Sequence, residues 1–177
     1  MWADDFIKDP WQTMIHPQHK WLLKKIKTSE SESILEVGCG FGRNIKFLIQ
    51  NGIDPSSIVG IDISQNMIKL ARKYVGKKEV KFFISDLIGF DHKKKFDLVF
   101  THGVLMHIPE DQIEDAIDKL ISLSKKSIVL IEQNYPADNN YTFVHDYRNL
   151  LSSQEIDIIE YRSDKKLGLD LIYAQVR

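Results

Sequence analysis

The chain has little of what marks several large classes of protein. It carries one cysteine among 177 residues, so no disulfide can form within it, and nothing in its composition indicates an oxidising compartment. No apolar run approaches the length needed to cross a bilayer. The first residues, Met1–Asp5, are acidic and lack the basic and apolar regions of a secretory signal. We therefore expect a cytoplasmic protein without a membrane-spanning segment.

An excess of charge of either sign is also missing. The 24 basic and 25 acidic residues leave a net charge of −1, without the basic face that broad nucleic-acid binding needs. We therefore do not expect nucleic acid as a partner. The length fits one domain with one core. We expect a single domain over residues 1–177, with a helical segment at 1–30 followed by an α/β core at 31–177.

Short apolar runs of β type alternate along the chain with stretches of helical period. Strands are predicted at 33–37, 57–61, 80–84, 96–100, 127–131, 156–161 and 169–176. Helices are predicted at 43–50, at 65–75, after Pro109 through Ile121, and at 141–151. This alternation predicts a doubly wound α/β fold, a mostly parallel sheet covered on both faces. In such sheets ligands bind beyond the carboxyl ends of the strands.

Glycines follow the first predicted strand in the pattern Glu36-x-Gly38-x-Gly40-x-Gly42. They allow backbone torsions closed to other residues and let a ligand approach the main chain. A dinucleotide site would need a glycine at position 43, where this chain has an arginine, and no Gly-Lys-Ser/Thr of a phosphate-binding loop follows. The acid before the glycines suits an ammonium group better than a phosphate.

Acids also follow the second and third predicted strands. Asp62 comes about two dozen residues after the glycines, where an acid accepts hydrogen bonds from ribose hydroxyls. Asp86 is placed to accept one from an exocyclic amine. Together with Glu36, these acids describe a ligand with an ammonium group, a ribose and an adenine amine, and without phosphate.

Four motifs in this order resemble the class I (Rossmann-like) S-adenosylmethionine-dependent methyltransferase family. They are Ile34–Arg43, Val59–Met67, Ile84–Leu87 and Phe96–Ile108, and the resemblance spans residues 33–132. It implies an enzyme with a seven-stranded sheet that contains one antiparallel strand. It also implies S-adenosylmethionine as cofactor, with S-adenosylhomocysteine as product, and no metal site.

The resemblance also implies a role for each matching position. By this resemblance, Glu36, Gly38 and Gly40 hold the methionine part of the cofactor, and Asp62 holds the ribose. Ile63 or Met67 lies against the face of the adenine, and Asp86 and Leu87 meet its edge. Thr101 and His102 lie near the sulfonium.

Histidine is the side chain best suited to take a proton from an acceptor near neutral pH. His102 and His107 follow the fourth predicted strand, where the family places its reaction centre, and His145 follows the fifth. We expect His102 or His145 to be the base, and His107 is a third candidate with a structural alternative. The alternative that no histidine acts as a base stays open, because many such enzymes rely on the proximity of the two reactants.

The first 22 residues hold all three tryptophans, Trp2, Trp11 and Trp21. In the family that the chain resembles, this segment often folds over the cofactor as a lid. We expect Trp21 to pack in a first helix, and we leave both roles open for Trp2 and Trp11.

The methyl acceptor is expected to be a small molecule, such as a sugar or another metabolite, methylated on oxygen or nitrogen. The stretch Thr101–Val104 stands where many methylators of nucleobase or amide nitrogens carry Asn/Asp-Pro-Pro-Tyr/Phe. Two alternatives remain: a protein or RNA methyltransferase that works with a partner subunit, and a non-catalytic S-adenosylmethionine-binding module. The oligomeric state is not predicted.

Overall fold

The computed structural model describes residues 7–136, 139, 141–154 and 156–177. Its helices are α1 (Pro10–Thr13), α2 (Pro17–Thr28), α3 (Arg43–Gln50), α4 (Gln65–Val75), α5 (Ile113–Leu123) and α6 (Tyr147–Ser152). Its strands are β1 (Ile34–Val37), β2 (Ile58–Asp62), β3 (Lys81–Ile84), β4 (Phe96–His102), β5 (Ser124–Gln133), β6 (Ile156–Asp164) and β7 (Leu169–Val176).

The seven strands form one sheet in the order β3-β2-β1-β4-β5-β7-β6. Strand β7 runs antiparallel to both of its neighbours, β5 and β6, whereas β2 pairs in parallel with β1 and β3, and β4 with β5. This arrangement confirms the predicted doubly wound α/β fold with one antiparallel strand. The chain divides into two compact units, unit 1 (Met1–Asp86) and unit 2 (Leu87–Arg177).

Unit 1 is built around β1, all four residues of which are buried. The next strand passes close to it at Gly60, where an added Cβ would lie 2.9 Å from Ile45 and 3.0 Å from Cys39. A side chain at position 60 would push the glycine turn and α3 away from the sheet. The glycine therefore sets how closely the first helix packs.

The ends of α4 follow from its flanking residues. The Ser64 hydroxyl accepts the Met67 N–H at 3.3 Å and caps the start of the helix, while Gly76 takes a positive φ of 65° after its end. Both boundaries agree with the predicted helix at 65–75. The buried face carries Ile68 and Ala71 at helical spacing.

Unit 2 holds the longer strands. Strand β5 is buried over its last seven residues, as a strand covered on both faces should be, and α5 buries an apolar face with helical spacing. Strands β6 and β7 form the predicted antiparallel hairpin. Strand β4 continues two residues beyond its predicted end, so Thr101 and His102 are its last residues.

The helix predicted at 141–151 is wrong in its first half, because the structure has a helix only over Tyr147–Ser152. The Asp146 side chain caps this shorter helix by accepting the Asn149 N–H at 3.0 Å. Ahead of it, the Phe143 N–H donates to the carbonyl of Met106 at 2.7 Å. This tertiary hydrogen bond holds residues 142–146 out of a helix.

Among the described residues, no helix is both long and apolar enough to cross a membrane.

Candidate functional site

The glycine turn between β1 and α3 is tight on one side and open on the other. Gly38, Gly40 and Gly42 all have positive φ, at 67°, 52° and 84°. A Cβ added at Gly42 would lie 2.7 Å from Val75, so this glycine serves packing within unit 1. A Cβ at Gly40 would meet no atom within 4 Å. The backbone at Gly40 is therefore accessible to a ligand.

Glu36 presents a buried acid beside this turn. Its side chain is 1% exposed, and Oε1 accepts the Nδ2–H of Asn44 at 2.6 Å. Its other oxygen, Oε2, has no hydrogen-bond partner among the described residues. Burial raises the pKa of Glu36 to about 8, although Asn44 and the charge of Arg43 oppose the rise. A cationic group that reached Oε2 would satisfy it and favour the ionised form.

Asp62 ties the ends of the first three strands together. Its Oδ2 accepts the Gly40 N–H and its Oδ1 accepts the Ser64 N–H, both at 2.8 Å. Its carbonyl accepts the Ser85 N–H at 3.1 Å, which brings the end of β3 to the same place. A carboxylate oxygen can accept more than one hydrogen bond, so Asp62 keeps acceptor capacity for further donors.

Apolar and acidic side chains follow the ends of β2 and β3 in unit 1. Ile63 is 75% exposed, Met67 is half-buried and Asp86 is exposed. An exposed isoleucine beside a carboxylate offers a flat apolar ligand a surface to cover. Unit 1 contains seven of the nine predicted cofactor-binding residues: Glu36, Gly38, Gly40, Asp62, Ile63, Met67 and Asp86.

These features of unit 1 fit S-adenosylmethionine. The unsatisfied Oε2 of Glu36 suits an ammonium group, the open backbone at Gly40 suits close approach, and Asp62 suits ribose hydroxyls. The thiol of Cys39 is buried, and burial raises its pKa, so this cysteine stays neutral. No group of three or more metal-ligating side chains occurs within the described residues.

The segment before β1 contacts the start of α3. The Arg43 guanidinium donates Nη1–H to the carbonyl of Gln12 at 3.2 Å, and the ring of Trp11 lies 4.4 Å from that of His16. Trp11 is 64% exposed. In α2, the Trp21 ring lies under the ammonium of Lys25 at 5.5 Å. Trp2 lies outside the described residues, and the lid role of 1–30 stays a prediction.

Unit 2 contains a buried acid that sequence reasoning missed. Glu132, near the end of β5, is fully buried, and its Oε2 accepts N–H groups from Val104 at 3.0 Å and Met106 at 3.4 Å. Both belong to Gly103–Ile108, the post-β4 turn. Burial raises the pKa of Glu132 to about 7, and the hydrogen bonds that it accepts from the N–H groups of the turn oppose this rise. An acid near the end of a buried strand was the available signal.

The three candidate histidines differ in their surroundings. His102 is half-buried at the end of β4, and His107 is exposed, with Nδ1–H donating to the carbonyl of Tyr141 at 3.0 Å. His145 is buried, and its Nε2 lies 3.2 and 3.0 Å from two carbonyl oxygens of the post-β4 turn. Carbonyls only accept, so Nε2 of His145 carries a hydrogen and only Nδ1 could act as a base. The two predicted cofactor contacts in unit 2, Leu87 and Thr101, are both buried.

Comparison with known proteins points to one family. The sequence pattern of the methyltransferase domain matches residues 34–127, more than half of the chain. Malonyl-(acyl-carrier protein) O-methyltransferase 2 of Ilyobacter polytropus is 28% identical over 132 residues, which cover 74% of this chain and 48% of that protein. The tRNA U34 carboxymethyltransferase of Nautilia profundicola is 30% identical over 115 residues, 60% of this chain and 35% of that protein.

A solved structure shares the fold. Magnesium protoporphyrin IX methyltransferase of Synechocystis PCC 6803, with S-adenosylhomocysteine bound, superimposes with a TM-score of 0.76 at 19% identity. The match covers 90% of this chain and 82% of that one. The chain spans about half the length, or less, of the two curated relatives. Residues 34–127 carry the domain pattern and unit 1 carries the geometry expected from it, so the chain belongs to the methyltransferase-domain family, and the resemblance to class I S-adenosylmethionine-dependent methyltransferases is confirmed.

Proposed function

We propose that this chain binds S-adenosylmethionine and transfers its methyl group to an oxygen or nitrogen atom of a small molecule. One observation carries the proposal: buried Glu36 has an unsatisfied oxygen in the same unit as the open backbone of Gly40 and the carboxylate of Asp62. When bound, S-adenosylmethionine supplies a methyl group made electrophilic by the sulfonium. The residues of the chain bind and orient the reactants and exclude water.

The proposed roles follow the chemistry of each side chain. Glu36 Oε2 accepts a hydrogen bond from the ammonium group, and Asp62 accepts them from the ribose hydroxyls. Ile63 covers the adenine face, since its exposure leaves apolar surface to be buried. The remaining cofactor contacts implied by the family resemblance are Gly38, Gly40, Met67, Asp86, Leu87 and Thr101.

A proton must leave a hydroxyl or ammonium acceptor when it is methylated. We assign this task to one of His102, His107 and His145. The local hydrogen bonds distinguish His145 from His107. Nε2–H of His145 donates to carbonyl oxygens, whereas in His107 it is Nδ1–H that donates to one. His145 would therefore act through Nδ1 and His107 through Nε2.

Two classes of methyl acceptor, small molecules and RNA, compete in this proposal. The balanced charge of the chain and the names of relatives such as the malonyl-(acyl-carrier protein) O-methyltransferase favour acceptors other than nucleic acid. A relative named for action on tRNA U34 favours the second candidate, an RNA methyltransferase. A screen of metabolites and tRNA for release of S-adenosylhomocysteine separates the two.

The test of cofactor binding is calorimetric titration with S-adenosylhomocysteine. We expect a Kd of about micromolar scale and no binding of NADH. Asp62→Ala should weaken binding by about tenfold or more, because it removes the ribose acceptor and the bond to Gly40. Asp54→Ala is the matched control, since Asp54 likewise accepts a backbone N–H, from Ser56, but on an exposed turn. Binding of NADH in place of S-adenosylhomocysteine would overturn the proposal.

A further inference from the structure

Glu36 is held at one of its two oxygens. Its Oε1 accepts the Nδ2–H of Asn44 at 2.6 Å, while Oε2 is buried and meets no partner among the described residues. A carboxylate is planar, so a hydrogen bond to one oxygen also restricts where the other oxygen lies. The contact with Asn44 therefore decides the direction in which the unsatisfied acceptor of Glu36 points.

Asn44 can orient Glu36 because its own place is set by the backbone. It is the second residue of α3, two positions after Gly42, whose φ of 84° starts the helix. Its side chain is 6% exposed, and a buried side chain in the first turn of a helix has few rotamers available. The amide group supplies a neutral donor, which holds the carboxylate without compensating its charge.

The neighbouring cation, Arg43, donates a hydrogen bond to another part of the chain. Arg43 acts on Glu36 through its charge, which lowers the pKa of that acid, but its Nη1–H donates to the carbonyl of Gln12 at 3.2 Å. Arg43 thus favours the ionised form of Glu36 and also contacts the segment before β1. The short hydrogen bond that fixes the carboxylate comes from Asn44.

We propose that Asn44 is a positioning residue that presents Glu36 to the aminoacyl end of the methyl donor, and so sets the preference of the chain for ligands that carry this end. The inference rests on the proposed function, in which Glu36 binds the ammonium group. The adenosine end depends on Asp62, whose two oxygens are bonded to Gly40 and Ser64. Loss of Asn44 should therefore affect one end of the ligand and spare the other.

Two ligands separate the two ends. S-adenosylhomocysteine carries the aminoacyl group, whereas 5′-methylthioadenosine has the same adenosine and thioether sulfur without it. By calorimetric titration, we expect Asn44→Ala to weaken S-adenosylhomocysteine by about tenfold, the effect of misplacing one hydrogen bond to a charged group. Binding of 5′-methylthioadenosine should change by less than about twofold, within the scatter of a remote substitution.

The control lies at the C-terminal end of the same helix. Asn51, just after α3, also donates its Nδ2–H, here to the carbonyl of Phe47 at 2.8 Å. Asn51→Ala should leave the affinities of both ligands unchanged. Asn44→Leu, which keeps the branching at Cγ but has no donor, replaces Asn44→Ala if the smaller variant does not fold.

The outcomes are distinct. An equal loss for both ligands in a folded variant would make Asn44 a structural residue only, and an unchanged affinity for S-adenosylhomocysteine would also overturn the inference. If the unsubstituted chain does not bind S-adenosylhomocysteine, the proposed function itself fails, and that result is seen before any substitution is made.

Discussion

At the scale of single residues, Glu36 couples ligand binding to a proton. Burial raises its pKa from 4.5 to about 8, so the acid is mostly protonated at pH 7 in the ligand-free chain. An ammonium group placed at Oε2 favours the ionised form and lowers this pKa. Binding of S-adenosylhomocysteine at pH 7 should then release up to about one proton, and affinity should rise with pH until about pH 8.

Calorimetric titration in phosphate and in Tris measures the proton release, because the two buffers differ in their heat of ionisation. Glu36→Gln is the control, since the glutamine cannot titrate and the heat measured on binding to this variant should be the same in both buffers. The same heat in both buffers for the unsubstituted chain would contradict the assignment of Glu36 to the ammonium group.

The post-β4 turn, Gly103–Ile108, is the element whose shape depends most on distant residues. Glu132 accepts two of its N–H groups and His145 donates to two of its carbonyl oxygens. The Phe143 N–H and the His107 side chain tie the same turn to residues 141–143. These contacts explain why residues 142–146 are not helical, although their sequence predicted a helix.

Removing either partner should loosen this turn. Glu132→Ala leaves the half-buried N–H groups of Val104 and Met106 without their acceptor, at a cost of about 1–3 kcal/mol. Amide hydrogen exchange within Gly103–Ile108 should therefore become about tenfold faster or more in Glu132→Ala and in His145→Ala. Glu132→Gln, which keeps an acceptor oxygen, should show a smaller change.

His92→Ala provides a control, because the half-buried His92 contacts the carbonyl of Lys94 and the rings of Phe90 and Phe96 rather than the post-β4 turn. Its exchange within the post-β4 turn should match that of the unsubstituted chain. If His145→Ala slowed methyl transfer while exchange in the turn stayed unchanged, His145 would act as the base rather than as a support of the turn.

At the scale of the whole molecule, one sheet joins seven strands while the chain divides into two compact units. The single domain predicted over 1–177 requires that both units unfold together. Differential scanning calorimetry should show one transition whose calorimetric and van't Hoff enthalpies agree. A hundredfold excess of S-adenosylhomocysteine over its Kd should stabilise the fold by about 2.7 kcal/mol and raise Tm by about 5–10 °C.

Two separate transitions would contradict the single domain, most directly if the ligand moved only one of them. The chain without ligand serves as the reference at equal protein concentration. The cytoplasmic location stays a prediction from the sequence.

Local patterns were sufficient for much of this protein. Helix α4 has its predicted bounds because the residues that flank it, Ser64 and Gly76, mark its ends locally. The motif around Glu36, Gly40 and Asp62 was predictable because its glycines and acids follow successive strands within one short stretch of the chain. Family, fold and methyl donor follow from such short-range signals.

Other features were decided only when distant segments met. Asn44 looks like an ordinary helix residue until the fold brings it to Glu36, and Glu132 looks like the end of an apolar strand until the post-β4 turn folds onto it. The sequence makes His145 a candidate base, whereas in the structure its Nε2–H donates to two carbonyl oxygens. Hydrogen bonds between residues far apart in sequence have no local period or spacing, so only the tertiary structure determines them.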